Sequence, residues 1–134
     1  VLSTGKNVAP APIEDAFASS QVVEQCMVVG DGEKFVGALM VPNFEYLREQ
    51  AADDDVTLPE GDAAAAEHEY VHDRIGEEVD RVNPDFESYE QIKKFRVVDE
   101  EFTEDNDLLT PTMKKKRRNI LERYADAVAS MYEE

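Results

Sequence analysis

Residues 22–43 read VVEQCMVVGDGEKFVGALMVPN, two apolar and β-branched runs around a turn-forming pentapeptide. Runs of this length, 22–29 and 35–41, predict paired strands, and the Asp31-Gly32 dipeptide between them offers the positive φ that a hairpin turn requires. Pro42 and Asn43 close the second strand, and Phe44, Leu47 and Arg48 begin a short helix running into Asp53-Asp54-Asp55, read as a plain acidic loop. Upstream, Pro12 opens a short helix that carries Ile13 and Phe17 on one face and ends near Ser19-Ser20, with Glu14 and Asp15 favouring its N-terminal dipole. Downstream, a helix is predicted over 62–82, with Asp62 as N-cap and Val71, Ile75, Val79 and Val82 on one face, until Asn83-Pro84 stops it. A short helix over 89–93, a third strand over 95–98, an acidic turn-rich segment over 99–107 and a helix over 114–132 complete the chain. The stripe of that last helix is Ile120, Tyr124, Val128 and Met131. The expected class is α+β, a small antiparallel sheet of hairpin plus third strand covered by helices.

The 134 residues fit one domain, and 42% hydrophobic content suffices for a core. No apolar run approaches the length of a membrane span, and no charged-then-apolar leader opens the chain. The start at Val1, without methionine, reads as a cut from a longer protein. The single cysteine, Cys26, lies in an apolar run and is expected to pack as a small hydrophobe, which suits a cytoplasmic location. Asp and Glu number 31 against 14 Lys and Arg, a formal net charge of −17. A field of that sign repels nucleic acid and anionic membrane unless a local basic patch intervenes. Carboxylates spread along the whole chain resemble the surfaces of proteins from salt-loving organisms, so a halophilic source is expected.

One basic patch exists. Lys114-Lys115-Lys116-Arg117-Arg118 places five cations in succession at the start of the last expected helix, where the macrodipole disfavours them. Either an anion meets them there or they form a solvated basic turn; a nucleic-acid site is disfavoured by the absence of interleaved aromatics. A second motif, His68-Glu69-Tyr70-Val71-His72, matches the H-E-x-x-H pattern and would set two imidazoles one helical turn apart. A small zinc hydrolase is the reading it invites. The chain has no third histidine, and Ile75 stands where a metzincin expects glycine, so no metal site is expected. The six glycines form no phosphate-cradling loop. A non-catalytic acidic binding module is the remaining alternative.

The segment Thr110-Pro111-Thr112-Met113-Lys114-Lys115-Lys116-Arg117 resembles the last motif of the long-chain acyl-CoA synthetases, within the adenylate-forming superfamily. The general superfamily form is Thr-x-x-Gly-Lys-x-x-Arg, which Thr110, Lys114 and Arg117 match. Met113 replaces the glycine, as is common in the long-chain branch. The opening, Ser3-Thr4-Gly5-Lys6-Asn7-Val8-Ala9-Pro10-Ala11-Pro12-Ile13-Glu14, resembles the loop that follows the family's interdomain hinge, with the hinge residue upstream of Val1. The resemblance implies that residues 1–134 are the single C-terminal lid domain of a fatty-acid–CoA ligase. The phosphate loop, adenine pocket and acyl tunnel would belong to an N-terminal AMP-binding domain outside this sequence, so the isolated chain is expected to be inactive. The implied substrates are ATP with Mg, CoA and a fatty acid, and the implied reaction is acyl-adenylate formation followed by transfer to CoA. By the same resemblance Lys114 is the catalytic lysine of adenylation, and Gly5, Lys6 and Asn7 form the ATP/adenylate and CoA loop. Thr110 and Arg117 support the lysine loop, while Lys115, Lys116 and Arg118 either attract the CoA phosphates or, the favoured reading, solvate the turn. The implied partner is the chain's own N-terminal domain, with peripheral membrane association of the full-length enzyme left open.

Overall fold

The computed structural model describes residues 2–3, 5–30 and 32–132. Strand β1 (Val23–Val29) runs antiparallel to β2 (Val36–Pro42), with Met27 opposite Leu39 and Val28 opposite Ala38, and an irregularity between Val23 and Gln25. The hairpin is therefore where the two apolar runs place it. Its turn is closed by Glu33 N donating to Gly30 O at 2.9 Å, with Gly32 at φ +76°; Asp31 lies outside the described residues. Strand β3 (Ile92–Val97) pairs with the other edge of β2, Ala38 opposite Phe95.

The α+β class holds, and the third strand corrects the expected sheet: β3 is parallel to β2, so the sheet is mixed. A parallel return needs a crossover, and the 49 residues between the two strands supply it through helices α2 (Phe44–Asp53), α3 (Asp62–Ala66) and α4 (Glu69–Val82). The Asn43 side chain caps α2 by accepting from Tyr46 N. Strand β3 also starts three residues earlier than expected, and a 3₁₀ turn, Ser88–Glu90, following another at Asn83–Asp85, stands in place of the short helix.

Side chains of the sheet alternate between two cores. Cys26, Val28, Ala38 and Met40 face helix α1 (Pro10–Ala16), α2 and α4, packing on Ile13, Leu47, Ile75 and Val79. Met27, Val29, Leu39 and Val41 face the C-terminal third of the chain, packing on Phe102, Leu108, Ile120 and Met131. Every residue of β2 is buried, which is why that strand reads as a continuous apolar run rather than an alternating one.

Two long expected helices are each divided. The predicted 62–82 helix breaks at Glu67-His68 because the His68 Nδ1 accepts from Tyr70 N at 3.0 Å and caps α4; at its start, Gly61 rather than Asp62 occupies the N-cap. The predicted 114–132 helix begins only at Arg117, giving α5 (Arg117–Arg123), and restarts as α6 (Ala125–Met131) after Tyr124 leaves helical geometry at φ −111°, ψ 29°. At that break, the Arg123 guanidinium and the Tyr124 hydroxyl both donate to the carboxylate of Glu100. Among the described residues no helix is long and apolar enough to cross a membrane.

The hydrogen bond from Arg123 holds the Glu100 carboxyl below its ordinary value of 4.5, against a smaller opposing effect of burial. A lowered folded-state value stabilises the fold above the ordinary carboxylate range and ceases to do so as pH falls through it. Denaturant titrations below pH 4.5 are expected to show a smaller loss of stability with falling pH for Glu100→Gln than for the parent chain; equal slopes would contradict the assignment.

Candidate functional site

The basic segment is built as a small hairpin on the second core. Leu108 and Leu109 are buried beneath it, and Thr103 O receives both of their backbone N–H groups, at 3.0 and 2.9 Å. Leu109 then bridges Lys115 in antiparallel fashion, Lys116 N donates to Leu108 O at 2.8 Å, and Thr110 N donates to Lys114 O at 2.8 Å. At the tip, Met113 N donates to Thr110 O at 2.8 Å with Pro111 in the second position of the turn, where its fixed φ suits the chain reversal. Met113 follows in the left-handed region at φ +66°, the pattern of a three-residue hairpin loop. This explains why glycine stands here in the general superfamily motif. A methionine adopts the same backbone at a cost of roughly 1 kcal/mol. The Thr110 hydroxyl accepts from Lys114 N at 3.1 Å, so Thr110 braces the turn from both its backbone and its side chain.

The three lysines therefore precede the last helices instead of lying within them, and only Arg117 and Arg118 meet the α5 dipole. Four of the five consecutive cations are paired: Lys115 and Arg117 with Glu14, Lys116 with Asp107, Arg118 with Glu122. Lys114 is exposed, and among the described residues its ammonium makes no ion pair or side-chain hydrogen bond.

Glu14 is the functional residue that the sequence reading misplaced. Helix α1 starts at Pro10, so Glu14 lies in its second half rather than near its positive end, and its side chain turns inward with 7% exposure. Both oxygens accept from Arg117 Nη2, at 2.7 and 2.9 Å, and Oε2 also accepts from Val28 N at 2.8 Å. One carboxylate thus binds α1, β1 and the start of α5. The available signal was an acid flanking the stripe of Ile13 and Phe17. Burial pushes the neighbouring Cys26 thiol well above its ordinary value, with the Glu14 charge adding to the effect, so Cys26 behaves as a small apolar residue.

The opening loop is a separate structure. Leu2 is buried, Gly5 N donates to Leu2 O at 2.8 Å, Leu2 N donates to Lys6 O at 2.9 Å, and Ser3 N donates to Glu33 O at 2.8 Å. Gly5 holds φ +84° with open space where a side chain would stand. Lys6 places its ammonium 5.6 Å from the ring centre of Tyr89, and Asn7 is exposed; Thr4 lies outside the described residues. Among the described residues no hydrogen bond or ion pair joins Gly5, Lys6 or Asn7 to the lysine hairpin. A groove of about 470 Å³ lies between Leu2, Val8 and Pro10 on one side and Arg117, Leu121 and Val128 on the other.

The H-E-x-x-H pattern does not form the geometry its spacing suggested. His68 is the cap outside α4, its Nδ1 committed to Tyr70 N, while His72 stacks on Phe95 with ring centres 4.6 Å apart. Among the described residues no group of three His, Cys, Asp or Glu side chains is disposed to hold a metal ion.

A mixed three-stranded sheet with helices on both faces is the architecture of the C-terminal domains of adenylate-forming enzymes. The family model described as the AMP-binding enzyme C-terminal domain matches residues 1–134, and the chain belongs to that family. A long-chain-fatty-acid–CoA ligase of Mycobacterium tuberculosis is 34% identical over 132 residues, 98% of this chain and 22% of that protein. A chloroplastic long-chain-fatty-acid–[acyl-carrier-protein] ligase of Arabidopsis thaliana is also 34% identical over 132 residues, 98% of this chain and 16% of its own. Among solved structures, the adenylation domain of a carboxylate reductase from Mycobacterium chelonae superposes with a TM-score of 0.77 at 26% identity, over 98% of this chain and 19% of that one. The chain therefore spans about a fifth of the length of these relatives.

Arg117→Ala leaves the Glu14 carboxylate buried with only Lys115 and one backbone donor. The expected loss is roughly 2–3 kcal/mol of unfolding free energy, below the figure for a fully buried pair because Arg117 is 40% exposed. Urea denaturation of the chain measures it, and the double variant Glu14→Gln, Arg117→Ala should recover part of the loss.

Proposed function

We propose that this domain acts as the lid of a fatty-acid-activating enzyme and delivers Lys114 to the reaction in which a carboxylate attacks the α-phosphate of ATP. The observation that supports it is the state of Lys114: four neighbouring cations are engaged within the domain, and this one is held outward by a hairpin with its charge unspent. Adenylation accumulates negative charge on carboxylate and phosphoryl oxygens, and a preorganised ammonium stabilises that charge most when no internal partner competes for it. Thr110 keeps the turn closed, and Arg117 fixes the hairpin's base to Glu14. Lys114 and the 5–7 loop stand on separate supports, which suits a two-step reaction in which the domain presents first one and then the other to the same large domain. In the second step Gly5 allows close backbone approach, while Lys6 and Asn7 offer polar contacts to the thiol substrate or the adenylate. Magnesium would accompany ATP, whose phosphates this reading assigns to the large domain.

CoA is the thiol acceptor we favour, because it is the acceptor of the mycobacterial ligase above. The plant relative, equally identical, names an acyl carrier protein instead. Assays of the full-length enzyme with CoA and with a phosphopantetheinylated carrier protein distinguish the two; thioester formed only on the carrier would overturn the choice.

In the full-length enzyme Lys114→Ala is expected to lower adenylation, read by ATP–pyrophosphate exchange, by two to three orders of magnitude, roughly 3–4 kcal/mol of transition-state stabilisation. Thioester formation from supplied acyl-adenylate should be spared. Lys116→Ala, which removes only a surface pair with Asp107, should cost far less. Equal loss of both half-reactions with Lys114→Ala would refute the delivered-lysine mechanism.

A further inference from the structure

We infer that Met113 is a positioning residue, whose side chain seats in an apolar recess of the large domain when the hairpin delivers Lys114 and so fixes where the ammonium comes to rest. The inference rests on the proposed role of Lys114. Met113 combines a left-handed backbone, which the hairpin turn requires, with a large apolar side chain that packing within the domain does not account for. Its φ of +66° lies in the left-handed region, and its side chain is 68% exposed, the most exposed of the large hydrophobic residues described. Glycine would carry the same turn without strain, so what methionine adds is the side chain alone. That side chain belongs to neither hydrophobic core.

The tip of the hairpin otherwise offers polar or compact groups, Thr110, Pro111 and Thr112, all at the surface or half-buried. Lys114 reaches its target through four flexible methylenes, and a charge on such a stem is placed only if its base is fixed. The base is rigid toward its own domain, through buried Leu108 and Leu109 and the hydrogen bonds at Thr110. Toward the other domain, the largest apolar side chain the tip exposes is that of Met113, next to the lysine, with the compact Pro111 ring beside it. A flexible, unbranched methionine suits such a seat because it adapts to an irregular recess. The occupant of the interface is set by the family: relatives carry about four-fifths of their length outside the region matched here, and a lysine that must reach bound ATP takes Met113 into that larger portion with it.

The test uses full-length enzyme with Met113→Asn, which keeps a residue tolerant of the left-handed backbone while removing the apolar side chain, and Met113→Leu, which keeps the apolar side chain. Met113→Asn should lower kcat for ATP–pyrophosphate exchange roughly ten- to hundredfold, the size expected for one lost buried apolar side chain, with KM for ATP changed little. Met113→Leu should restore kcat to within about threefold of the parent, the loss expected of a near-isosteric apolar exchange, and thioester formation from supplied acyl-adenylate should be unaffected in both. Met113→Asn at parental rate would overturn the inference while leaving the Lys114 reading intact. Equal impairment by Asn and Leu, or loss in both half-reactions, would also overturn it, since an apolar side chain seated during adenylation would then not be what the rate depends on. Lys114→Ala, assayed alongside, separates the two proposals: full exchange activity in that variant would remove both.

Discussion

Glu14 is the carboxylate on which the active edge of this domain depends. A side chain 7% exposed needs a partner of opposite charge and further donors, because a carboxylate removed from water is otherwise strongly disfavoured. Arg117 supplies the charge, Val28 N a backbone donor, and Lys115 a second, looser cation at 3.4 Å. These contacts join the first helix, the first strand and the base of the lysine hairpin at one point. Arg117 also reaches toward Val28 O at 3.4 Å, so the guanidinium spans acid and strand together. Without this junction the hairpin would rest on Leu108, Leu109 and the turn hydrogen bonds alone.

The same junction bears on how, in a domain of net charge −17, one of five successive cations stays unpaired among the described residues. An acidic surface would draw any lysine into a local pair, and the four neighbours of Lys114 have been drawn in that way. Lys114 escapes because its backbone is spent on Thr110, in a turn whose left-handed last residue points the next side chain outward. The difference is thus geometric: of five chemically similar residues in a row, the first leaves the turn at 110–113 beyond reach of an acid among the described residues, while the four that follow run back along the domain and meet one.

The strands of the hairpin and the apolar stripe of α4 were legible in the sequence, since each follows from local composition and period. The direction of β3 was not, because a six-residue strand such as Ile92–Val97 carries the same pattern whether its neighbour runs parallel or antiparallel; the crossover decides. The break at Tyr124 was hidden for a related reason. Ile120, Tyr124, Val128 and Met131 keep helical spacing, and what interrupts the helix is Glu100, a partner 24 residues earlier in the chain. His68 likewise reads as a helix residue until its ring is seen accepting from Tyr70 N. Lys114 stood out among five cations only through the family motif, and Glu14 not at all, since burial of a single acid is a tertiary event.

Glu14 and its partner Arg117 are 103 residues apart, one near each end of the chain. On the ribosome the first helix and both strands of the hairpin emerge long before Arg117 does, so Glu14 must stay hydrated, or borrow another cation, throughout most of synthesis. The first core can consolidate early, because its helices and strands are all in hand by residue 97. The lysine hairpin acquires its anchored base only when the final turns of helix are released. Loss of a short C-terminal stretch during translation would therefore yield a chain with much of its core and no braced lysine.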